Sequence, residues 1–241
     1  MSAQPLLLLP GLLCDAAVWE PQIAELRDQA DCIVADYGNA SSITEMAQIA
    51  LSSAPAGPLA VAGHSMGGRV ALEVIRLAPE RVTRLALMDT GYQALVPGFV
   101  GEGEKKGRYA LLDTARREGM RALGLKWAPG MVHPSRVNGP VFEAVLQMIE
   151  RKTPEIFAAQ IEALINRPDA SGQLPGITVP TLVLCGRDDS WSPLSRHEDM
   201  HAVLPRSILS VIEHSGHMST MEEPGQVTAA MRAWLEMQAQ G

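Results

Sequence analysis

The chain has 241 residues, 46% of them hydrophobic, and a net charge of −7. That supplies the core of one α/β-type domain, and the acidic balance excludes a nucleic-acid surface or a polybasic membrane contact. Cys14, Cys32 and Cys185 are an odd set without metal-ligand spacing, so free thiols and a reducing, cytoplasmic setting are expected.

The elements follow in chain order. Residues 6–9 read as a strand, broken by Pro10-Gly11. The apolar run is too short to span a bilayer. No Lys or Arg precedes Arg27, so an export signal is not expected. A helix is predicted over 16–27 and a strand over 31–35. A helix over 41–53 follows, capped by Ser41 or Ser42 with Glu45 in its first turn. Residues 59–62 form a strand, 69–78 a helix and 83–88 a strand. From Thr90 to Ile177 no strand pattern occurs; helices are predicted over 108–117, 121–127, 141–152 and 155–167. The chain closes with strands over 181–184 and 207–212, a helix from Leu194 and a last helix over 226–238. The strands are continuous apolar runs, as when helices cover both faces. The alternation predicts an α/β fold, a doubly wound, mostly parallel sheet of about six strands. Its active loops belong at the carboxyl ends of the strands.

Gly63-His64-Ser65-Met66-Gly67 fits G-x-S-x-G between a strand and a helix. Such a turn is sharp enough to strain the serine. The residues two before and two after it must be small, which Gly63 and Gly67 satisfy. Ser65 then stands at a strand end, where the Met66 amide and the helix N-terminus favour negative charge. An activated serine needs a base and a group to orient that base. Asp188 and Asp189 follow one strand, and His214 and His217 follow the next. The order serine, aspartate, histidine is that of the α/β-hydrolases.

Four stretches, Leu6-Leu7-Leu8-Leu9-Pro10-Gly11 with Trp19 after it, GHSMGG, GRDDSWSP and SGHMSTMEEP, together resemble the α/β-hydrolase fold family over nearly the whole chain. The resemblance implies Ser65 as nucleophile, His217 as base then acid, and Asp189 as the carboxylate that orients His217. The family sets its acid three residues after the glycine and its histidine directly after one, which selects Asp189 over Asp188 and His217 over His214. Oxyanion donors are implied at the amides of Met66 and of Leu12, with Leu13 the alternative. The family has His-Gly where this chain has Pro10-Gly11, so a histidine that often braces the loop is missing. The resemblance also makes 93–175 a helical cap inserted in a core of 1–92 and 176–241. Substrate contacts are expected from Leu13, His64, Trp127, Trp191 and Met218.

His197-Glu198-Asp199-Met200-His201 fits H-E-x-x-H, a zinc-binding pattern. Its flank is polar, no third ligand follows, and the inferred fold puts this helix outside the sheet, away from the serine. No metal and no cofactor are expected. The expected activity is hydrolysis of a small, neutral, lipophilic carboxylic ester. Thioester, lactone or carbon–carbon hydrolysis would use the same residues. The Gly-x-Ser-Met-Gly-Gly-Arg run, with Arg69, also resembles the menaquinone-pathway lyase that eliminates pyruvate from a multiply charged substrate. The sequence shows no obvious arginine constellation in the cap for that; Arg69, Arg108 and Arg121 are the candidates, and Arg69 reads rather as a structural helix residue. From another class, some family members serve as ligand sensors with intact triads.

Overall fold

In the computed structural model, which describes residues 4–238, six strands form one sheet. They are β1 (Gln4–Leu9), β2 (Ala30–Val34), β3 (Leu59–His64), β4 (Val82–Met88), β5 (Thr181–Gly186) and β6 (Ser207–Ile212). The order is β2-β1-β3-β4-β5-β6, and every neighbouring pair is parallel. Leu6 to Leu9 and all of β3 and β5 are buried, whereas the edge strands β2 and β6 are mostly half-buried. Full burial of each such leucine stabilises the sheet by roughly 1.5–3 kcal/mol.

β2 lies on one side of β1 and β3 on the other. This reversal opens a crevice at the carboxyl ends of β1 and β3. The loop after β1 and the turn after β3 meet in it.

The helices are α1 (Glu20–Glu25), α2 (Ile43–Ser53), α3 (Met66–Leu77), α4 (Phe99–Glu118), α5 (Met120–Trp127), α6 (Pro140–Glu150), α7 (Pro154–Ile165), α8 (Leu194–Val203), α9 (Ser219–Glu222) and α10 (Pro224–Glu236). The helix expected over 16–27 is two pieces, a 3-10 turn at Ala16–Trp19 and then α1. Pro21 has no N–H to carry the ladder across the joint. On α2, Ser42 Oγ accepts from the Glu45 amide at 3.1 Å, while Glu45 Oε2 accepts from the Ser41 amide at 3.0 Å. This reciprocal capping fixes where α2 begins.

Helices α4 to α7 fill the long connection between β4 and β5, with α4 packed on α5 and α7, and α5 on α6. α4 starts at Phe99, well before the expected residue 108. Gly101, Gly103 and Gly107 weaken helix propensity there and leave no apolar stripe. Glu104 instead ties that turn to Arg108, one turn on, and to Arg167 beyond α7. Among the described residues no helix is long and apolar enough to cross a membrane.

Candidate active site

The site is built on the tight turn after β3. Ser65 has φ 55° and ψ −119°, a backbone that non-glycine residues hold only under constraint. The constraint is visible. The Ser65 amide donates to Met88 O at 2.9 Å, and the Thr90 hydroxyl donates to Ser65 O at 2.6 Å. A Cβ on Gly63 would lie 2.1 Å from Gly67 O, and one on Gly67 would lie 1.9 Å from Leu9 O. Only glycine fits at either position.

Ser65 Oγ lies 2.7 Å from His217 Nε2, and His217 Nδ1 lies 2.8 Å from Asp189 Oδ2. Asp189 Oδ1 also accepts from the amides of Trp191 at 2.8 Å and Ser192 at 2.9 Å. The other two candidates are not in this chain of contacts. Asp188 Oδ2 faces His133 at 3.6 Å, and His214 packs edge-on against the same His133.

The loop that carries His217 is held from several sides. The His217 amide donates to Met131 O at 2.8 Å. Glu222 Oε1 accepts from the Gly216 and Met218 amides at 3.0 and 3.2 Å. His64 Nε2 meets His217 O at 2.8 Å, so Nε2–H is the donor. Burial, and then the neighbouring His217, pushes the His64 imidazole down to about 3, which keeps it neutral.

Burial opposes protonation of His217, but the Asp189 carboxylate outweighs it and holds the imidazole above its ordinary value. Burial likewise works against ionised Asp189, and His217 reverses that, so its carboxyl is lowered. Behind this pair lies Asp89, wholly buried. Burial first, and the Asp189 charge second, push its carboxyl up to about 8.

Asp89, Cys185 and Asp189 bring potential ligand atoms within 4.8 Å of one another. A cation would need those donors free. Asp89 Oδ1 already accepts from the Gly186 amide at 2.8 Å, Oδ2 from the Ser219 hydroxyl, and both oxygens of Asp189 are bonded. Burial keeps the Cys185 thiol protonated. The H-E-x-x-H histidines do not converge either. His197 is buried and its Nε2 accepts from the Thr90 amide at 3.0 Å, whereas His201 is exposed and its Nδ1 meets Ser207 Oγ at 2.8 Å. The expectation that α8 lies away from the serine is corrected here. His197 holds Thr90, and Thr90 holds Ser65.

A cavity of about 530 Å³ opens over Ser65. Leu12, Met66 and His64 line it, and so do Trp127 and Trp191, which stack with ring centroids 5.1 Å apart. His64 contributes at its floor, since its side chain is buried. Leu13 and Met218, expected to touch substrate, do not line it and sit wholly buried in the core. Leu13 is turned inward by a left-handed φ of 58°, and its amide donates to Gln160 Oε1 at 2.8 Å. Among the described residues, the amides of Leu12 and Met66 donate to no other protein group.

Part of the cavity lining is cationic. Arg69, Arg108, Arg167 and Arg196 contribute to it with one carboxylate, Glu104. These arginines come from α3, from α4, from beyond α7 and from α8. No sequence motif links them, and only the fold assembles them.

Residues 6–231 match the model of the alpha/beta hydrolase family. The chain belongs to that family and is an enzyme of it. It is 28% identical to a pimeloyl-(acyl-carrier protein) methyl ester esterase of Photobacterium profundum, over 96% of this chain and 94% of that one. Its fold superposes on a thermophilic esterase from Thermogutta terrifontis (malate bound) with a TM-score of 0.84. That pair shares 30% identity over 97% of this chain and 90% of the other. A putative 2-succinyl-6-hydroxy-2,4-cyclohexadiene-1-carboxylate synthase of Bacillus subtilis is 27% identical over 67% of this chain and 60% of its own length.

Proposed function

We propose that the protein is a serine hydrolase that cleaves a carboxylic ester of a small molecule through an acyl-enzyme on Ser65. The unbroken relay from Ser65 Oγ through His217 to Asp189, at 2.7 and 2.8 Å, is the observation that carries this reading. His217 Nε2 takes the Ser65 proton as Oγ bonds to the ester carbonyl carbon. The carbonyl oxygen gains the negative charge, and the amides of Leu12 and Met66 hold it. Each such donor lowers the barrier by about 3 kcal/mol. His217 then gives the proton to the departing alcohol as the tetrahedral centre collapses. A water molecule, deprotonated by His217, releases the acid and regenerates Ser65. Asp189 keeps the imidazole in the working tautomer throughout. No cofactor enters this sequence.

In the same reading, 93–175 acts as a helical cap on a core of 1–92 and 176–241. It contributes Trp127 and Phe157, whose aromatic faces receive the lipophilic part of the substrate. Three unpaired cysteines support a reducing, cytoplasmic setting.

The test is hydrolysis of p-nitrophenyl esters from acetate to decanoate, beside Ser65→Ala and a chelator control. Turnover that survives the chelator and disappears in Ser65→Ala supports the reading. A folded protein inert on every ester contradicts it.

One observation favours a second reading. Arg69, which ends the Gly-x-Ser-Met-Gly-Gly-Arg run, stands in the cavity with Arg108, Arg167 and Arg196, as a lyase with a multiply charged substrate requires. The likeness to the Bacillus subtilis protein points the same way. That activity is read as pyruvate release from the lyase's substrate, with no release from simple esters.

A further inference from the structure

The arginine wall is not charge-balanced. Glu104 pairs with two of the four guanidiniums, Arg108 at 2.8 Å and Arg167 at 2.8 Å. Among the described residues, Arg69 and Arg196 have no carboxylate partner. Arg69 Nη1 donates to Gln93 O at 2.7 Å, and Arg196 Nη1 donates to Trp191 O at 3.3 Å. Both close over the same glycine. A Cβ on Gly91 would lie 2.8 Å from Arg69 Nη2 and 3.3 Å from Arg196 Nη1. Two like charges thus converge with backbone carbonyls as their hydrogen-bond partners, while Glu104 and Asp169 act on Arg69 only from a distance, without direct pairing.

Such an arrangement is costly without an anion. Burial, and then Arg167 and Arg196, push the Arg69 guanidinium down to about 9. A planar fork is matched by a carboxylate, which it can bind through two parallel hydrogen bonds. Arg69 also sits one turn into α3, whose first residue follows Ser65. Arg69 and Arg196 line the same cavity as Ser65.

Building on the esterase reading above, we propose that the substrate carries a free carboxylate away from the scissile ester, and that Arg69 and Arg196 bind it. The aromatic wall of Trp127 and Trp191 then holds the chain between the two ends. On this proposal the substrate is an acid ester, such as the monoester of a dicarboxylic acid, where the sequence alone points to a neutral one.

The experiment compares monomethyl adipate with methyl hexanoate, which has the same chain length without the charge, in wild type, Arg69→Gln and Arg196→Gln. Wild type is expected to prefer the acid ester by about tenfold or more in kcat/KM, mainly through KM. Either substitution is expected to lower that ratio by about tenfold, and Arg69→Lys to restore it only in part. The preference should also weaken as salt is raised. A binding measurement runs in parallel, adipate titrated calorimetrically into Ser65→Ala and Ser65→Ala/Arg69→Gln. Circular dichroism and thermal melting report whether each variant is folded. Equal kcat/KM for the two esters, with no adipate binding, overturns the proposal while Ser65-dependent turnover leaves the esterase reading standing. No turnover of either ester, with Arg69-dependent adipate binding, overturns the esterase reading and keeps the carboxylate site.

Discussion

Gln160 on α7 accepts the Leu13 amide at 2.8 Å, both groups buried. The contact joins the inserted helices to the loop after β1, 147 residues apart in sequence. It also occupies one of the two amides proposed as second oxyanion donor, Leu13, and leaves that of Leu12 free.

Gln160→Ala would orphan the buried Leu13 N–H, at a cost of about 1–3 kcal/mol. The loop would also lose its anchor to α7. Thermal unfolding should show the lost stability, and kcat on p-nitrophenyl butyrate should fall with KM little changed. Unaltered kcat in a folded variant would remove Gln160 from the positioning of the loop.

Asp189→Asn leaves the shape of the site but removes the charge that favours imidazolium. The expected loss in kcat is about four orders of magnitude. The pH profile supplies a second readout. His217 acts as base only when neutral, and its folded value lies above the ordinary 6.5. Wild-type kcat/KM should therefore fall through a midpoint above pH 6.5 on acidification. The same shift stabilises the fold below pH 6.5, and that contribution fades as pH rises through the folded value. In Asp189→Asn the midpoint of the residual activity should move down.

Asp89 titrates in the opposite sense. Its carboxyl stands at about 8 in the fold against 3.8 unfolded. The proton it retains makes wild type lose stability as pH rises from about 4 to 8. Asp89→Asn keeps an acceptor for the Gly186 amide and offers a donor to Ser219 Oγ, without a charge. The variant should gain in melting temperature relative to wild type as pH is raised from about 5 to 8. A gap that stays constant with pH would show that Asp89 does not hold that proton.

Gly67→Ala places a methyl group 1.9 Å from Leu9 O, at the junction of β1 and the serine turn. Backbone must move, so the loss should exceed about 4 kcal/mol. The measurement is denaturant unfolding, or soluble yield if the variant does not fold.

The sheet and the serine turn were legible in the sequence because their signals are local. Four leucines before Pro10-Gly11, and Gly63 and Gly67 around Ser65, act through immediate neighbours. Asp189 and His217 were legible through motif likeness, and their meeting at Ser65 follows from strand order. The start of α4 was not legible, because Gly101, Gly103 and Gly107 carry no apolar period and the helix is held by Glu104 across the fold. Arg69 and Arg108 stood out as candidates beside Arg121, which pairs with Glu143 and Glu150 instead, but the cluster of four was not legible, for a related reason. Arg69, Arg108, Arg167 and Arg196 share no spacing, and each alone resembles an ordinary half-buried arginine. Leu13 and Met218 read as pocket residues by position, but a left-handed turn and core packing point them inward.

The central claim is that Ser65 is the nucleophile. Its most direct test is reaction with a p-nitrophenyl alkylphosphonate, followed by peptide mass spectrometry. Ser65 Oγ should bond to phosphorus as p-nitrophenolate leaves, placing one alkylphosphonyl group on the peptide that contains Ser65, and Ser65→Ala should stay unmodified. A label on another residue, or none on a folded protein that still hydrolyses esters, would contradict the account.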